Sequence, residues 1–106
     1  MQNKFQYKFT GLALQDIDEA MSYISDSLAN PIAAENLYNQ LEKAIDQICL
    51  FPYAHADCSC YLIDNRDIRH IRVGNYVMIY EVVTATSTLH ILRFRYAMMD
   101  LTKVKF

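Results

Sequence analysis

Glycine, proline and cysteine are scarce in this chain, which has two Gly, two Pro, three Cys and no Trp in 106 residues. No low-complexity or Pro/Gly-rich stretch interrupts it, and 53% of its residues are hydrophobic. This composition excludes disorder over most of the length. No apolar run approaches the roughly 20 residues that a membrane-spanning helix needs. The length predicts one domain with a single two-layer core.

The cysteines and the amino terminus indicate a reducing compartment. Three cysteines are an odd number, and Met1–Lys8 has neither an apolar core nor a cleavage site of a signal peptide, so we expect a cytoplasmic protein. The run His55-x-x-Cys58-x-Cys60 superficially resembles a metal cluster, but it lacks the usual spacing and a second cysteine pair. We therefore expect free thiols there, Cys49 buried in a helix, and neither a metal nor another cofactor.

Charge is distributed unevenly along the chain. Residues 1–60 carry three Lys against eight Asp or Glu, a balance of −5, while residues 61–106 carry seven Lys or Arg against four Asp or Glu, a balance of +3. The sum is the net charge of −2. Local potential governs the docking of an anionic partner better than net charge does. All the arginines lie in the basic half: Arg66, Arg69, Arg72, Arg93 and Arg95.

The basic half also has the strongest strand pattern. Its segments are rich in Val, Ile, Tyr and Phe and are separated by a Gly74-Asn75 turn and a Thr84–Ser87 turn, which predicts an antiparallel meander. The predicted strands are Ile68–Val73, Tyr76–Val83 and Thr88–Tyr96. Near the amino terminus, Phe5–Phe9 alternates aromatic and polar residues, which is typical of a half-buried strand.

Two helices are predicted between these strands. Thr10 is the expected N-cap of the first, and Asn30 followed by Pro31 begins the second, which ends before Phe51-Pro52. Steps of three and four residues predict the buried side of each helix. On the first these are Leu14, Ile17, Met21, Ile24 and Leu28, with Asp16, Asp18 and Glu19 on the other side. On the second they are Ala34, Leu37, Leu41, Ile45 and Ile48.

The order of elements is β-α-α-β-β-β, which predicts an α+β two-layer sandwich with a helical hairpin on one face of an antiparallel sheet. The single domain covers residues 1–106. Tyr53–Asn65 is expected to be a loop in which Tyr61–Ile63 adds an irregular strand, and Ala97–Phe106 is an apolar tail. The other face of the sheet, partly open, is where the arginines would point.

Several motifs then resemble the RelE/ParE toxins of type II toxin–antitoxin, or plasmid stabilisation, modules. They are Asn30-Pro31 with Ala33-Ala34, Leu50-Phe51-Pro52, Arg72-Val73-Gly74-Asn75-Tyr76 leading to Tyr80, and Ile91-Leu92-Arg93 running to Tyr96 and Asp100. Each motif is weak alone, but their order and spacing span essentially the whole chain. The resemblance implies a protein that arrests growth unless a cognate antitoxin binds it.

The resemblance leaves the target open. RelE-like members cleave mRNA on the ribosome without a metal, a reaction that needs a base, cations and an acid. His70, Arg72, Arg95 and Tyr96 are the candidates for those roles, and Arg93-Phe94-Arg95-Tyr96 looks like the Arg-Tyr-His-Tyr end of YoeB-type nucleases. ParE-like members poison DNA gyrase, and the run Tyr96–Leu101 looks like the His-x-Arg-Met-Asp-Leu ending of that branch.

Two positions depart from these patterns. Val77 is aliphatic where ribonuclease members usually carry Arg, and Met98 occupies the Arg position of the ParE-like ending. The first departure favours a gyrase poison over an mRNA endonuclease, and both leave open an attenuated relative that binds antitoxin without being toxic.

Residues for binding a target and an antitoxin are predicted as well. In an ideal strand Arg69 and Arg72 face opposite sides, whereas Arg93 and Arg95 share a face with Leu89 and Ile91. The predicted target-binding residues are Arg69, Arg72, Arg93, Arg95 and Tyr96. For the antitoxin the resemblance implies a groove formed by the apolar tail, with Met98, Met99, Leu101 and Phe106. The alternative interpretation is that the arginines are surface residues in salt bridges and that His70 and His90 are ordinary strand histidines.

Overall fold

The computed structural model of the protein describes residues 4–54 and 66–98. Its helices and strands follow the predicted order, and we number them along the chain. They are β1 (Gln6–Phe9), α1 (Gly11–Ser22), a π-helical turn (Tyr23–Ser27), α2 (Pro31–Leu50), β2 (Ile68–Val73), β3 (Tyr76–Val83) and β4 (Thr88–Tyr96). A 3₁₀ turn, Thr84–Thr86, links β3 to β4.

The four strands form one sheet in the order β1-β4-β3-β2. The strands β2, β3 and β4 are the predicted antiparallel meander, and β1 pairs in parallel with β4. The predicted α+β two-layer architecture is confirmed, and its sheet is mixed. No helix within residues 4–54 and 66–98 combines the length and hydrophobicity that crossing a bilayer requires.

The predicted helix caps are present. The Thr10 hydroxyl accepts a 3.1 Å hydrogen bond from the Ala13 amide, and the Asn30 side chain accepts one of 3.1 Å from Ala33. Both bonds satisfy amides that the first helical turn leaves without a partner. Pro31 follows Asn30 at the start of α2, where its missing N–H is not needed.

The helices pack on one face of the sheet around a core that includes Met78, Tyr80 and Phe94. All five residues predicted for α2 are buried, since Ala34, Leu37, Leu41, Ile45 and Ile48 are at most 9% exposed. Tyr80 is fully buried, and its hydroxyl donates a 3.4 Å hydrogen bond to the Pro52 carbonyl.

The buried side of α1 agrees with the prediction in part. Ile17, Met21 and Ile24 are partly buried and pack against the core, as predicted. Ala13, Asp16 and Ala20 are the buried residues of this helix, whereas Leu14 is 54% exposed. Leu28, beyond the π-helical turn, is 55% exposed. Two alanines and Asp16 are thus the most buried positions of α1, and Asp16 is directed towards β4.

A second, smaller group of buried residues lies on the other face of the sheet. It consists of Ile68, Val77, Ile79 and Leu92, which are between 0 and 6% exposed, with Ala97 packed against them. The face expected to be partly open is therefore buried at these four side chains, while Arg72 on the same face is exposed.

A β-bulge in β4 brings Leu92 into this second group. Ile91 pairs with Tyr80, but the next pair joins Arg93 to Ile79, so Leu92 is an extra residue in β4. An extra residue reverses the alternation of side chains. Arg93 therefore lies on the face opposite to Ile91, and the expectation that Arg93 and Arg95 share a face with Leu89 and Ile91 is wrong.

Tyr80 should make the folded protein less stable as the pH rises into the alkaline range. Burial raises the pKa of Tyr80 to about 12, against about 10 for an exposed tyrosine. Between these values the folded protein keeps a proton that the unfolded chain has lost, so this residue should reduce the free energy of unfolding by about 1.4 kcal/mol per pH unit. Below about pH 10 the Tyr80 hydroxyl is protonated in both the folded and the unfolded state, so this residue adds no pH dependence to the free energy of unfolding there. Urea unfolding from pH 9 to 11 tests this, because Tyr80→Phe should show a smaller decrease than the wild type, and equal decreases would contradict the assignment.

The link between the helices contains a strained residue. Ala29 has a φ of 49°, a left-handed conformation that a β-carbon disfavours. Ala29→Gly should raise the free energy of unfolding by about 0.5–1 kcal/mol. Glycine relieves the backbone strain of the folded state, and this gain exceeds the additional conformational entropy that a glycine loses when the chain folds. Denaturant midpoints measure the change. Ala33→Gly, within α2, is the matched control and should be destabilising by about 0.5–1 kcal/mol.

Candidate functional site

Strand register places two of the candidate arginines in one row across the sheet. Val77 of β3 pairs with Arg72 on β2 and with Arg95 on β4. Directly paired residues point to the same face, so the two arginines flank Val77 with Cα atoms about 10 Å apart, two strand spacings. The neighbouring row consists of His70, Ile79 and Arg93.

Asp16 forms ion pairs with both arginines of β4. Its Oδ2 accepts hydrogen bonds of 2.7 Å from Arg93 Nε and 3.1 Å from the Phe94 amide. Its Oδ1 accepts bonds of 3.0 Å from Arg93 Nη2 and 3.1 Å from Arg95 Nη1. Burial acts to raise the pKa of Asp16, but the bonds from Arg93, Phe94 and Arg95 outweigh it and leave that pKa below its ordinary value.

These bonds also complete the edge of the sheet. The strand β1 pairs with β4 only as far as Ile91, and the backbone of β4 beyond that point needs other partners. The Thr10 amide donates to the Ile91 carbonyl and the Thr10 hydroxyl to the Leu92 carbonyl. Asp16 then accepts from Phe94. Thr10 and the first turns of α1 thus supply hydrogen-bond partners for the backbone of β4 beyond the end of β1.

Two further arginines also bind carboxylates. Arg66 donates two hydrogen bonds, of 3.0 and 2.8 Å, to the carboxylate of Glu81, whose pKa this lowers. Arg69 bonds to Asp67 at 2.9 Å, and its guanidinium lies 5.4 Å from the centre of the Tyr53 ring. Since Arg69 pairs with Tyr80 in the register, it lies on the face covered by helices, opposite to Arg72, as expected.

The predicted cationic surface is therefore largely neutralised. Four of the five arginines form ion pairs with carboxylates of the same chain. Arg72 is the exception among the described residues: it is exposed, no carboxylate lies within ion-pair distance, and its Nε donates a 2.7 Å bond to the Gly74 carbonyl. These ion pairs were not predictable from the sequence, because a charge pattern in one strand contains no information about which carboxylate another element supplies.

An aromatic group lies at the end of the sheet beside these arginines. Tyr76 stacks on Phe94 with ring centroids 4.9 Å apart, and Tyr96 meets Tyr76 edge-on at 5.7 Å. Burial raises the pKa of Tyr76. A cavity of about 160 Å³ opens beside these rings and reaches Arg95 and Glu19.

Three of the four residues expected to act in a nuclease lie on one face of the sheet, and Tyr96 does not. His70 and Arg72 lie on β2, while Arg95 lies two strands away and bonds to Asp16. Tyr96 pairs with Tyr76, which packs on the helix-side core, so its ring lies on the opposite face of the sheet. The buried Nδ1 of His70 has no hydrogen-bond partner among the described residues.

The structure covers part of the remaining predictions. Met98, proposed for antitoxin binding, is 81% exposed. Met99, Leu101 and Phe106 lie outside the described residues, as do His55, Cys58, Cys60 and the strand expected at Tyr61–Ile63. Cys49 is buried as predicted. Within residues 4–54 and 66–98, no group of His, Cys, Asp or Glu is arranged to hold a metal ion.

Sequence reasoning missed Asp16, which organises this region. The helical periodicity assigned it to solvent, yet it is only 5% exposed. A usable signal is its position three residues after Ala13 and four before Ala20, because that spacing puts an acid on the same stripe as the two buried alanines.

The fold and sequence comparisons agree on the class of this protein. Three solved toxin–antitoxin systems share the fold at low identity. The chromosomal ParDE system of P. aeruginosa has a TM-score of 0.69 and 14% identity, covering 89% of this chain and 97% of that one. The RelBE2 complex of Mycobacterium tuberculosis has a TM-score of 0.61 and 17% identity, covering 88% and 98%. The archaeal RelE–RelB complex of Pyrococcus horikoshii OT3 has a TM-score of 0.59 and 14% identity, covering 90% and 97%.

This chain therefore has the fold that these ParDE and RelE–RelB structures share. The family described as the ParE toxin of the type II toxin–antitoxin system parDE matches residues 7–101. The chain belongs to this family, as the sequence motifs predicted. No curated protein matches it significantly.

Proposed function

We propose that this protein is a cytoplasmic toxin that arrests growth by acting on DNA gyrase and is held inactive by a cognate antitoxin. The observation that carries the proposal is the match to the ParE toxin family over residues 7–101. The ParDE fold similarity supports it. The position of Tyr96, on the face of the sheet opposite to His70, Arg72 and Arg95, favours this target over ribosome-bound mRNA.

The proposed target-binding surface is the end of the sheet at the β2–β3 turn. Arg72, Tyr96 and Met98 are exposed there, and the Ala97 amide donates a 2.8 Å bond to Asn75, which fixes the end of β4 against the turn. Arg95 contributes charge that Asp16 partly cancels. We assign Arg93 mainly to the ion pair with Asp16, and Arg69 to the opposite face.

Expression without an antitoxin tests the proposal. Induction of the wild type should stop growth, and the purified protein should inhibit supercoiling by gyrase while leaving mRNA on programmed ribosomes intact. Arg72→Ala and Tyr96→Ala should each weaken both effects. Lys8→Ala, which removes an exposed cation from β1, is the matched control and should retain full toxicity.

Two outcomes would replace this proposal by the alternatives. Discrete cuts in the A-site codon with normal gyrase activity would identify an mRNA endonuclease. Normal growth, with soluble folded protein confirmed and an antitoxin still bound, would identify an attenuated relative, as Val77 and Met98 allow.

A further inference from the structure

A cleft between β1 and α2 lies beside an outer strand of the sheet, away from the β2–β3 turn that was proposed for target binding. Its volume is about 300 Å³, at the lower end of the volumes of small-molecule sites. The described residues that line it are Tyr7 and Phe9 of β1 and Tyr38, Leu41, Glu42, Ile45 and Asp46 of α2. The cleft shares no residue with the sets predicted to bind a target or an antitoxin.

The wall formed by α2 carries a row of polar side chains. Tyr38, Glu42 and Asp46 follow each other at intervals of four residues, so they lie in one row along the helix. Leu41 and Ile45, on the buried side of α2, also line the cleft. The helix therefore presents one aromatic ring and two carboxylates beside an apolar base.

The wall formed by β1 consists of two aromatic rings. Tyr7 and Phe9 are two residues apart in the strand and point to the same face of the sheet, the face on which the helices pack. Their ring centroids are 5.7 Å apart, and the ring planes are nearly perpendicular, at 82°. The Phe5 amide donates a 2.9 Å hydrogen bond to the Cys49 carbonyl, which joins the start of β1 to the last turn of α2. This bond holds the two walls together.

The cleft has a negative charge. None of the described residues that line it is basic. Within residues 4–54 and 66–98, Glu42 has no ion-pair partner, whereas Asp46 lies 3.3 Å from the Lys4 ammonium. The side chains of Lys4 and Asp46 are 53% and 68% exposed, and an ion pair so exposed is weak. The carboxylates are therefore available to a cationic ligand, and Lys4 already places an ammonium group against one of them.

Aromatic faces and carboxylates together are complementary to an organic ammonium ion. The electron-rich face of a ring attracts a cation, and the alkyl groups of such a cation make apolar contacts with the same ring. We propose that this cleft binds the alkylated ammonium group of a small molecule, with Tyr7, Phe9 and Tyr38 around its alkyl groups and Glu42 as its counterion. This inference goes beyond the proposed function, which assigns no small-molecule ligand to the protein.

Other occupants suit the cleft less well. Its two carboxylates repel an anion such as phosphate. A metal ion needs several converging oxygen or nitrogen ligands, and the described part of the chain holds no group of His, Cys, Asp or Glu so arranged. A stable protein interface buries about 800 Å² on each partner, which is a much larger surface than a cleft of this size offers.

An NMR titration of the full chain tests the proposal with three probes. They are choline, its uncharged isostere 3,3-dimethylbutan-1-ol, and the peptide Gly-Gly-trimethyllysine-Gly-Gly. Choline should cause saturable shifts of the ring protons of Tyr7, Phe9 and Tyr38. The uncharged isostere should bind at least about tenfold more weakly, because it loses the attraction of the cation to the rings and to Glu42.

Variants separate a built site from general attraction to an acidic surface. Tyr38→Leu and Glu42→Gln should each weaken choline binding about fivefold, the loss expected for one cation–π or charge contact. Asp18→Asn removes an exposed carboxylate of α1 and is the matched control, which should bind choline as the wild type does. Lys4→Gln should strengthen binding about twofold, because it frees Asp46 from its competing ammonium. Unchanged amide spectra away from the cleft verify that each variant is folded.

Several results would overturn the proposal. They are the absence of saturable shifts with choline, equal affinity for the uncharged isostere, equal weakening by Asp18→Asn, and weaker binding to Lys4→Gln. Binding of the trimethyllysine peptide more than about tenfold tighter than choline would overturn it in favour of a protein segment, since contacts outside the cleft would then supply most of the affinity. The titration requires no toxicity, so its failure is distinguishable from failure of the gyrase experiments.

Discussion

Replacing Asp16 with Ala is expected to lower the free energy of unfolding by about 3–5 kcal/mol, the usual cost of removing one partner from a buried ion pair. The carboxylate is 4% exposed and holds Arg93, Arg95 and the Phe94 amide at once. Its removal leaves two partly buried guanidinium groups and one edge amide without this acceptor. Urea unfolding of the purified variant measures the loss.

A neighbouring variant and a conservative one serve as controls for Asp16. Asp18→Ala removes an exposed carboxylate from the same helix and should change stability by less than about 0.5 kcal/mol. Asp16→Asn keeps an acceptor for Phe94 and should have an intermediate effect. Because the pKa of Asp16 is lowered, its contribution is present above the ordinary aspartate pKa and disappears as the pH falls through the lower, folded-state value. Equal stability of Asp16→Ala and Asp18→Ala would refute this role.

Replacing Phe94 with Ala is expected to be equally damaging, by about 3–5 kcal/mol, because a large cavity would open in the core. The ring is 2% exposed and stacks on Tyr76, which in turn contacts Tyr96. The variant should therefore lose both stability and the arrangement of aromatic rings at the end of the sheet. Chemical denaturation and the near-ultraviolet circular dichroism of the tyrosines measure the two effects.

An exposed tyrosine provides the comparison for Phe94. Tyr38→Ala removes a ring that is 49% exposed on α2, and the change in stability should stay within about 1 kcal/mol. If Phe94→Ala unfolded at the denaturant concentration of the wild type, the ring could not be supporting the core. Growth arrest should decline in Phe94→Ala together with the amount of folded toxin, whereas Arg72→Ala should weaken arrest at unchanged stability.

Elements with local signals were predictable from the sequence. The bounds of β2, β3 and β4 agree with the prediction, since Gly74-Asn75 and Thr84–Ser87 mark the turns between them. The start of α2 followed from Asn30 and Pro31, and its end from Pro52. Each of these signals acts within a few residues, so no knowledge of the tertiary structure was needed.

The arrangement of the candidate site depended on distant contacts instead. The Leu92 bulge reverses the faces of β4, and nothing in the spacing of Ile91, Arg93 and Arg95 reveals an extra residue. Asp16 reaches Arg93 across 77 positions of sequence. The hydrophobic periodicity of α1 predicted that Asp16 would be exposed to solvent. In the structure Asp16 is buried, because it accepts a hydrogen bond from the Phe94 amide at the edge of β4.

The pairing of β1 with β4 has a consequence for the time at which the sheet is completed. The Thr10 hydroxyl, directly after β1, donates a hydrogen bond to the carbonyl of Leu92, 82 positions later. The strand β1 therefore has no partner strand until most of the chain has been translated. Contacts so distant in sequence are also slow to form after release. We therefore expect the complete sheet, and with it the proposed target-binding surface, to form only after β4 has been synthesised.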